Sequence, residues 1–441
     1  MEGSRLAIRE LDELRFKRLL RIVSELVEPD LAPLPVLFRA WDEQSWYQRD
    51  VKHAIGRGLT WYKLIPATLQ SPSLDVAEEF EKHIGLPVDD FFAVAFLIFS
   101  IASSAQQPPY HHLSTMTSSE SLSERARELL ASERVKEFLA SVQLDQAGFQ
   151  ESVKNRNPGS TGVERYAFNP LLERPLVSIE ESGQIAPIPN LLIQLLDEQP
   201  YRRLRDAHRM EASGNAFATF FGKEIFEPYI GWLFSDRMPD ADLLPEDQTQ
   251  YEPDGGHHGP DWIVRQGDVG IAVEALLAEI PRSALLEEEL KDLEKIFEER
   301  IAARASRIPE KIRGVVERRP DLGLDSVRHW HRLIVTKAAL PWIGITKPQL
   351  IDPHVDSAAL PYHVLSIEEL EALLAAEENY GVHNILTDAE ALPEGSADFR
   401  ELFAQLYREQ GSPFNYGSLA TIQDEFFSQF VNTAGEPLFG G

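Results

Sequence analysis

The stretch that most narrows the folds open to this chain is Pro260-Asp261-Trp262-Ile263-Val264-Arg265-Gln266-Gly267-Asp268-Val269-Gly270-Ile271-Ala272-Val273-Glu274-Ala275-Leu276-Leu277. Two runs rich in Ile and Val flank a Gly-Asp pair, and this pattern predicts two strands joined by a two-residue turn. Such a turn fixes the register: Gln266 faces Val269, Val264 faces Ile271, and Asp261 faces Glu274. The two acids then share one face of the hairpin, with Cβ atoms ~4.5–5.5 Å apart. Trp262, Val264, Ile271, Val273 and Leu277 fall on the other face, the core side of a sheet. Opposed carboxylates repel, and a divalent cation or a shared proton is the usual relief.

The surroundings divide into four segments. Residues 1–150 read as helical. Arg9–Glu28 has Leu and Ile at near-helical spacing and stops at Pro29, and Asp75–Ile84 is a short helix closed by Gly85. Asp89 and Asp90 are placed to cap an apolar helix from Phe91, and Ser121–Ser141 reads as one more helix. Residues 103–119 are rich in Ser, Pro and Gln and read as a loop. Residues 151–212 are Pro-punctuated, with short strands around a turn at Glu181–Gly183 and a helix after Pro189. Residues 213–380 hold a helix from Asn215 to Phe234, the hairpin, a long charged helix and two further strands. Residues 381–441 read as a helical, polar tail with a loose end. There is no internal repeat.

Asp261 followed by Glu274 on the next strand, after a Glu-bearing helix, resembles the PD-(D/E)xK (restriction-endonuclease-like) nuclease superfamily, whose core runs helix, three antiparallel strands, helix, strand. The upstream helix Phe220-Phe221-Gly222-Lys223-Glu224-Ile225-Phe226-Glu227-Pro228-Tyr229 is similar to the Gly…Phe-Glu-x-Tyr helix of many members. His331–Thr336 looks like the later core strand, and Tyr362–Ile367 like an edge strand leading into a helix. The resemblance spans about 213–380. It implies a mixed α/β sheet flanked by helices; the helical N-terminal domain that carries it and the helical extension that follows are read from their own segments. The resemblance further implies metal-dependent hydrolysis of DNA or RNA phosphodiesters, DNA ahead of RNA, in bacterial defence or nucleic-acid processing. Asp261, Glu274 and Glu227, with the main-chain carbonyl of Ala275, would hold Mg²⁺ or Mn²⁺. A protein partner or a homodimer is compatible with it.

One position departs from the pattern. The superfamily lysine belongs two residues after Glu274, on the same strand face, and Leu276 stands there, with neither charge nor donor. Lys223, Arg265, Arg282 or Lys291 are the basic residues considered as substitutes. The alternative is a catalytically inactive relative that binds nucleic acid or serves as an assembly subunit.

Composition narrows the remaining classes. The 441 residues carry 43 Lys+Arg against 71 Asp+Glu, a net charge of −28, so broad attraction to phosphate or anionic membranes is disfavoured and any nucleic-acid contact must be local. There is no Cys, which removes thiol nucleophiles and Cys-ligated metal centres and fits a reducing cytoplasm. The charged N-terminus does not read as a secretory signal, and the apolar run Phe91–Ala102 is short for a membrane span, which takes ~20 residues. No P-loop, G-x-G-x-x-G or G-x-S-x-G motif occurs. His257 and His258 have no H-E-x-x-H context and read as loop histidines; His111 and His112 lie in the loop. His329 and His331 share a strand face and read as edge-strand packing. Trp41, Trp46, Tyr47, Trp61 and Tyr62 read as helical core. Leu286, Leu290, Leu293, Phe297 and Ile301 form an amphipathic stripe on a helix that becomes basic toward Arg319. That basic run reads as a solvated face or as a local groove for nucleic acid.

Overall fold

The computed structural model describes residues 51–104, 122–156, 170–179, 183–211, 214–251, 258–278, 297–338, 362–391, 402–403, 406 and 415–430. The expected helix Arg9–Glu28, residues 105–119 of the loop, Trp41, Trp46, Tyr47, His257, Arg282, Leu286, Leu290, Lys291 and Leu293 lie outside the described residues.

The first described helix, α1, is Val51–Leu59 and runs into a π-helical turn, Thr60–Leu64. Helix α2, Val76–Ile84, starts where Asp75 accepts from the Ala77 and Glu78 amides at 3.0 and 3.1 Å, and ends on Gly85 at φ 90°. Helix α3, Val88–Ser104, starts three residues before the expected Phe91, so Asp89 and Asp90 sit inside its first turn, where negative charge complements the helix dipole. The single helix expected over Ser121–Ser141 is two, α4 Glu124–Ala131 and α5 Glu133–Ser141. Ser132 breaks them by adopting extended backbone and capping the second helix through Val135 N–H. A two-residue strand β1, Gln143–Leu144, then α6, Gln146–Arg156, follow, and β1 pairs with β2, Leu176–Ile179, which pairs with β3, Gly183–Ile185. Helix α7, Gln199–Met210, leads to α8, Ala216–Phe220.

The chain from α8 onward builds a mixed α/β unit. From α8 the chain passes through a π-helical turn, Phe221–Phe226, into α9, Glu227–Arg237. Pro228 lacks the amide that would continue an α-helical ladder, and it falls where the wider turn ends. Five strands follow: β4 Asp242–Pro245, β5 Trp262–Gln266, β6 Val269–Leu276, β7 His329–Thr336 and β8 His363–Ser366. They lie in the order 4-5-6-7-8. The first three pair antiparallel, and β6–β7 and β7–β8 pair parallel. The crossover from β6 to β7 carries α10, Ala303–Arg318, preceded by a π-helical turn Phe297–Ala302. Beyond β8, α11 (Ile367–Ala375) begins at a capping box made by Ser366 and Glu369. Helices α12, Val382–Ala391, and α13, Ser418–Phe427, close the described chain.

The hairpin turns on Gly267 at φ +64°, a conformation that disfavours any side chain, and pairs Trp262 with Val273 and Gln266 with Val269. Side-chain parity then sorts the sheet. Val264, Ile271, Val273, Ala275, Leu333, Val335 and Leu365 join one contiguous core that runs from Ala54 to Phe430, while Ile263 packs with Val315 of α10 and Leu324 on the opposite face. The N-terminal helices share this core: Trp61 stands edge-on to Phe221 at 5.4 Å and to Tyr229 at 5.6 Å. The tail is bound to it as well, because Leu419, Phe426 and Phe430 are buried and Gly56 approaches the Leu419 carbonyl so closely that a Cβ would stand 2.6 Å from it. Strand β7 is interior to the sheet rather than at its edge, so His331 is buried between neighbours. No single helix among the described residues is long and apolar enough to cross a membrane.

Candidate active site

Three elements bring the acids together. Extending the β5–β6 register by one pair sets Asp261 across from Glu274, and both are buried. Asp261 is fixed twice by backbone: its Oδ2 accepts from the Ala275 amide at 2.7 Å, and its carbonyl accepts from the Glu246 amide at 3.0 Å. The second bond brings in Glu246, at the 3₁₀ turn that follows β4. Glu227 arrives from the start of α9. Trp262 Nε1 donates to the Glu227 carbonyl at 2.8 Å, while the Trp262 ring lies where a Cβ on Gly231 would stand, 2.2 Å away. Glycine at 231 is what lets the helix lie against the hairpin at that distance.

Glu227, Glu246 and Asp261 offer oxygens that all lie within 4.8 Å of one another. Burial first, and the negative charge of Asp261 second, push the Glu227 carboxyl up to about 7. Lys223 Nζ stands among the three, 3.0 Å from Glu227, 3.4 Å from Glu246 and 3.9 Å from Asp261. Burial works against the Lys223 charge, but the bond to Glu227 and the surrounding carboxylates outweigh it and raise its pKa. His258 Nδ1 lies 2.6 Å from Glu246 Oε1 on the outer side.

Glu274 is held from the other direction. Its Oε1 accepts from Lys311 Nζ at 2.5 Å, and Arg304 Nη1 lies 3.3 Å from its Oε2. Burial, then the charge of Asp261, push the Glu274 carboxyl up, and Lys311 holds that rise back. Arg304 Nη1 is also 2.9 Å from the Ala275 carbonyl and 3.8 Å from Asp261 Oδ2. Two positive nitrogens therefore flank Asp261. Arg304 sits among the oxygens of Asp261, Glu274 and Ala275, and Lys223 sits among those of Asp261, Glu227 and Glu246.

The positions expected from sequence are thus placed as follows. Asp261, Glu274, Glu227 and the Ala275 carbonyl converge on one end of the hairpin, but in two oxygen sets with Asp261 common to both. Leu276 is buried on the Glu274 face. Of the basic residues considered for its place, Lys223 is at the site. Arg265 is not: it pairs with Asp242 and donates to the carbonyls of Leu322 and Gly323, away from the acids.

Arg304 and Lys311 belong to the basic run that the sequence reads as a solvated face or a nucleic-acid groove, and neither they nor Glu246 were expected at the acids. The signal available for the first two was their spacing. Seven residues apart, they border the buried stripe Ala305, Ile308, Ile312 and Val315 that seats α10 on the sheet. Nothing local marks Glu246, whose position depends on the bond between its amide and Asp261.

No family model matches the sequence, and no curated protein matches it. Among solved structures the chain is similar to the small subunit of the heterodimeric restriction endonuclease R.BspD6I, at 12% identity and a TM-score of 0.21, over 51% of this chain and 97% of that subunit. A likeness at that score carries no argument about activity.

Proposed function

We propose that this chain is a metal-dependent nuclease of the PD-(D/E)xK kind whose lysine, Lys311, comes from the crossover helix instead of the strand. The reading rests on one observation: the 2.5 Å contact between Lys311 and the carboxylate that faces Asp261 across the hairpin. The donor set fits a hard divalent cation, since it is all oxygen and two side-chain cations already stand where such an ion would be held. Asp261, Glu274 and the Ala275 carbonyl would hold Mg²⁺ or Mn²⁺, with Glu227 and Glu246 completing a second set around Asp261. Bound there, the ion would supply an activated water and neutralise charge on the phosphate.

The chain's own groups do the rest. Glu274 orients Lys311, whose ammonium offers a donor and a fixed charge to a phosphate oxygen. Asp261 is held rigid by Ala275 N–H, so its free oxygen keeps its direction. Arg304, partly exposed, leaves its oxygens when a stronger cation arrives, and its planar guanidinium suits a phosphate. DNA is the preferred substrate class over RNA.

A second reading, a relative that binds nucleic acid without cutting it, is favoured by Leu276 and by the net charge of −28. Incubation of the full chain with plasmid, linear DNA and RNA in Mg²⁺, Mn²⁺ or EDTA separates the two. Cutting that needs the metal and is lost in Asp261→Asn supports the nuclease. Binding without cutting by the wild type, with cutting gained in Leu276→Lys, supports the second reading.

A further inference from the structure

We propose that His331, His363 and Glu390 form a separate site for zinc or a similar first-row divalent cation, clamping α12 onto the last two strands. His331 Nδ1 lies 2.8 Å from Glu390 Oε1 and His363 Nε2 lies 3.4 Å from the same oxygen, with all three ligand atoms within 4.8 Å of one another. Both histidines are buried, at 3% and 5% exposure. Donors ~2.0–2.1 Å from a tetrahedral ion stand about 3.3–3.4 Å apart, so the His363–Glu390 spacing of 3.4 Å already suits ligands, while the 2.8 Å His331–Glu390 contact would open by about half an ångström. As a hydrogen bond, 3.4 Å exceeds the usual 2.7–3.2 Å range, and the cluster is looser there than pairing alone would leave it. Two imidazoles with one carboxylate suit zinc, in contrast to the all-oxygen set around Asp261.

The supporting contacts are those a metal ligand needs. His331 Nε2 faces His383 Nδ1 at 2.7 Å. Without a metal, the 2.8 Å contact is an Nδ1–H bond donated to Glu390; with a metal on Nδ1, Nε2–H would donate to His383 Nδ1 and hold the ring in place. His331 and His363 pair into the sheet opposite Ile271 and Leu333, on the face that joins the main core, whereas Glu274 points to the α10 face. The two sites are therefore distinct, and this inference stands whether or not the chain cuts nucleic acid. A rival trio, Glu79, His83 and His208, is similarly spaced, but only one of its members is buried, against both histidines here.

The test strips the full chain with a chelator and titrates Zn²⁺, and Co²⁺ as a coloured probe, in excess Mg²⁺ to fill oxygen-only sites. Wild type is expected to bind one equivalent of Zn²⁺ with a rise in Tm, and to give the strong visible bands of four- or five-coordinate Co²⁺. His363→Gln, and Glu390→Gln as the near-isosteric and less buried change, should weaken binding at least ~100-fold, and His383→Ala about 10–100-fold, the range for a group supporting a ligand. His83→Gln should leave binding unchanged. The proposal is overturned if the wild type shows no Co²⁺ bands, if folded Glu390→Gln binds as wild type does, or if binding is lost in His83→Gln instead.

Discussion

Replacing Lys311 by Met removes one charge from the site while keeping the length of the side chain. Lys311 Nζ stands 2.5 Å from Glu274 Oε1, and the Glu274 side chain is only 4% exposed. Unit charges ~4 Å apart at an effective dielectric of ~20 attract by about 4 kcal/mol. Desolvation of the ammonium cancels part of this, and Arg304, 3.3 Å from the same carboxylate, remains as a partial substitute. A loss of about 1–3 kcal/mol of stability at neutral pH follows, read as a fall in Tm of a few degrees.

The sign with pH is fixed. Without Lys311 the folded-state Glu274 carboxyl rises further above its ordinary value, so the penalty is full at high pH and fades as the group protonates. Cleavage should fall further than stability, by ~10²–10³, the usual cost of one preorganised donor at a developing charge. The assay is plasmid nicking rate against Mn²⁺, with melting curves on the same samples. The double variant Lys311→Met with Leu276→Lys returns a lysine to the strand beside Glu274 and should recover at least ~10-fold of the lost rate. A folded Lys311→Met that nicks at the wild-type rate would refute the assignment.

Other perturbations read other parts of the same arrangement. Arg304→Gln removes the cation that occupies the Asp261, Glu274 and Ala275 oxygens; Mn²⁺ affinity, followed by calorimetry, should rise, and an unchanged or weaker affinity counts against the shared position. Glu227, pushed up to about 7 from an unfolded value near 4.5, takes up a proton on folding, so the metal-free protein should lose stability as pH rises from ~4.5 through ~7. That loss should be smaller in Glu227→Gln and smaller in Mg²⁺, with Tm against pH as the measurement; identical slopes in all three would sink it. Arg57 is 1% exposed and pairs with Glu371 at 2.9 Å and with Asp197 and Glu368 at 3.1 Å. Arg57→Met leaves those carboxylates buried around an apolar chain, and a loss of ~3–5 kcal/mol is expected in chemical denaturation, where a change below ~1 kcal/mol would contradict the reading.

What could be read from sequence was what is local. The hairpin register follows from period-two parity across one turn, so Asp261 and Glu274 were set opposite each other before any fold was known. The strand read at 331–336 and the glycine stop at 85 are similarly short-range. Lys311 was not readable in this way, because it meets Glu274 at a separation of 37 residues and only after α10 docks through Ala305, Ile308 and Ile312. The π-helical turns at 221–226 and 297–302 shift side-chain phase within a run that reads as ordinary helix. The tail was read as polar because its buried residues, Leu419, Phe426 and Phe430, are spaced by seven and four among polar neighbours. The His331, His363 and Glu390 cluster draws on three elements, and no spacing rule spans them.

The charge around Asp261 ties these pieces to the chain as a whole. Four carboxylates, Asp261, Glu274, Glu227 and Glu246, meet three fixed cations, Lys223, Arg304 and Lys311, so with all four ionised, above the raised Glu227 pKa of about 7, the site is one positive charge short before any ion arrives. On the proposed reading, an incoming divalent ion would reverse that sign and free Arg304 or Lys223 to face solvent. In a protein of net charge −28 this reversal has to be local, and α10 supplies the place for it. Between Arg304 and Arg313 the helix carries Arg304, Arg307, Lys311 and Arg313 against Glu310 alone, with Arg307 and Arg313 exposed. On the proposed reading, phosphate would be drawn to this helix and repelled by the bulk of the surface, and metal occupancy would strengthen that pull, because an ion among the acids releases Arg304 from them.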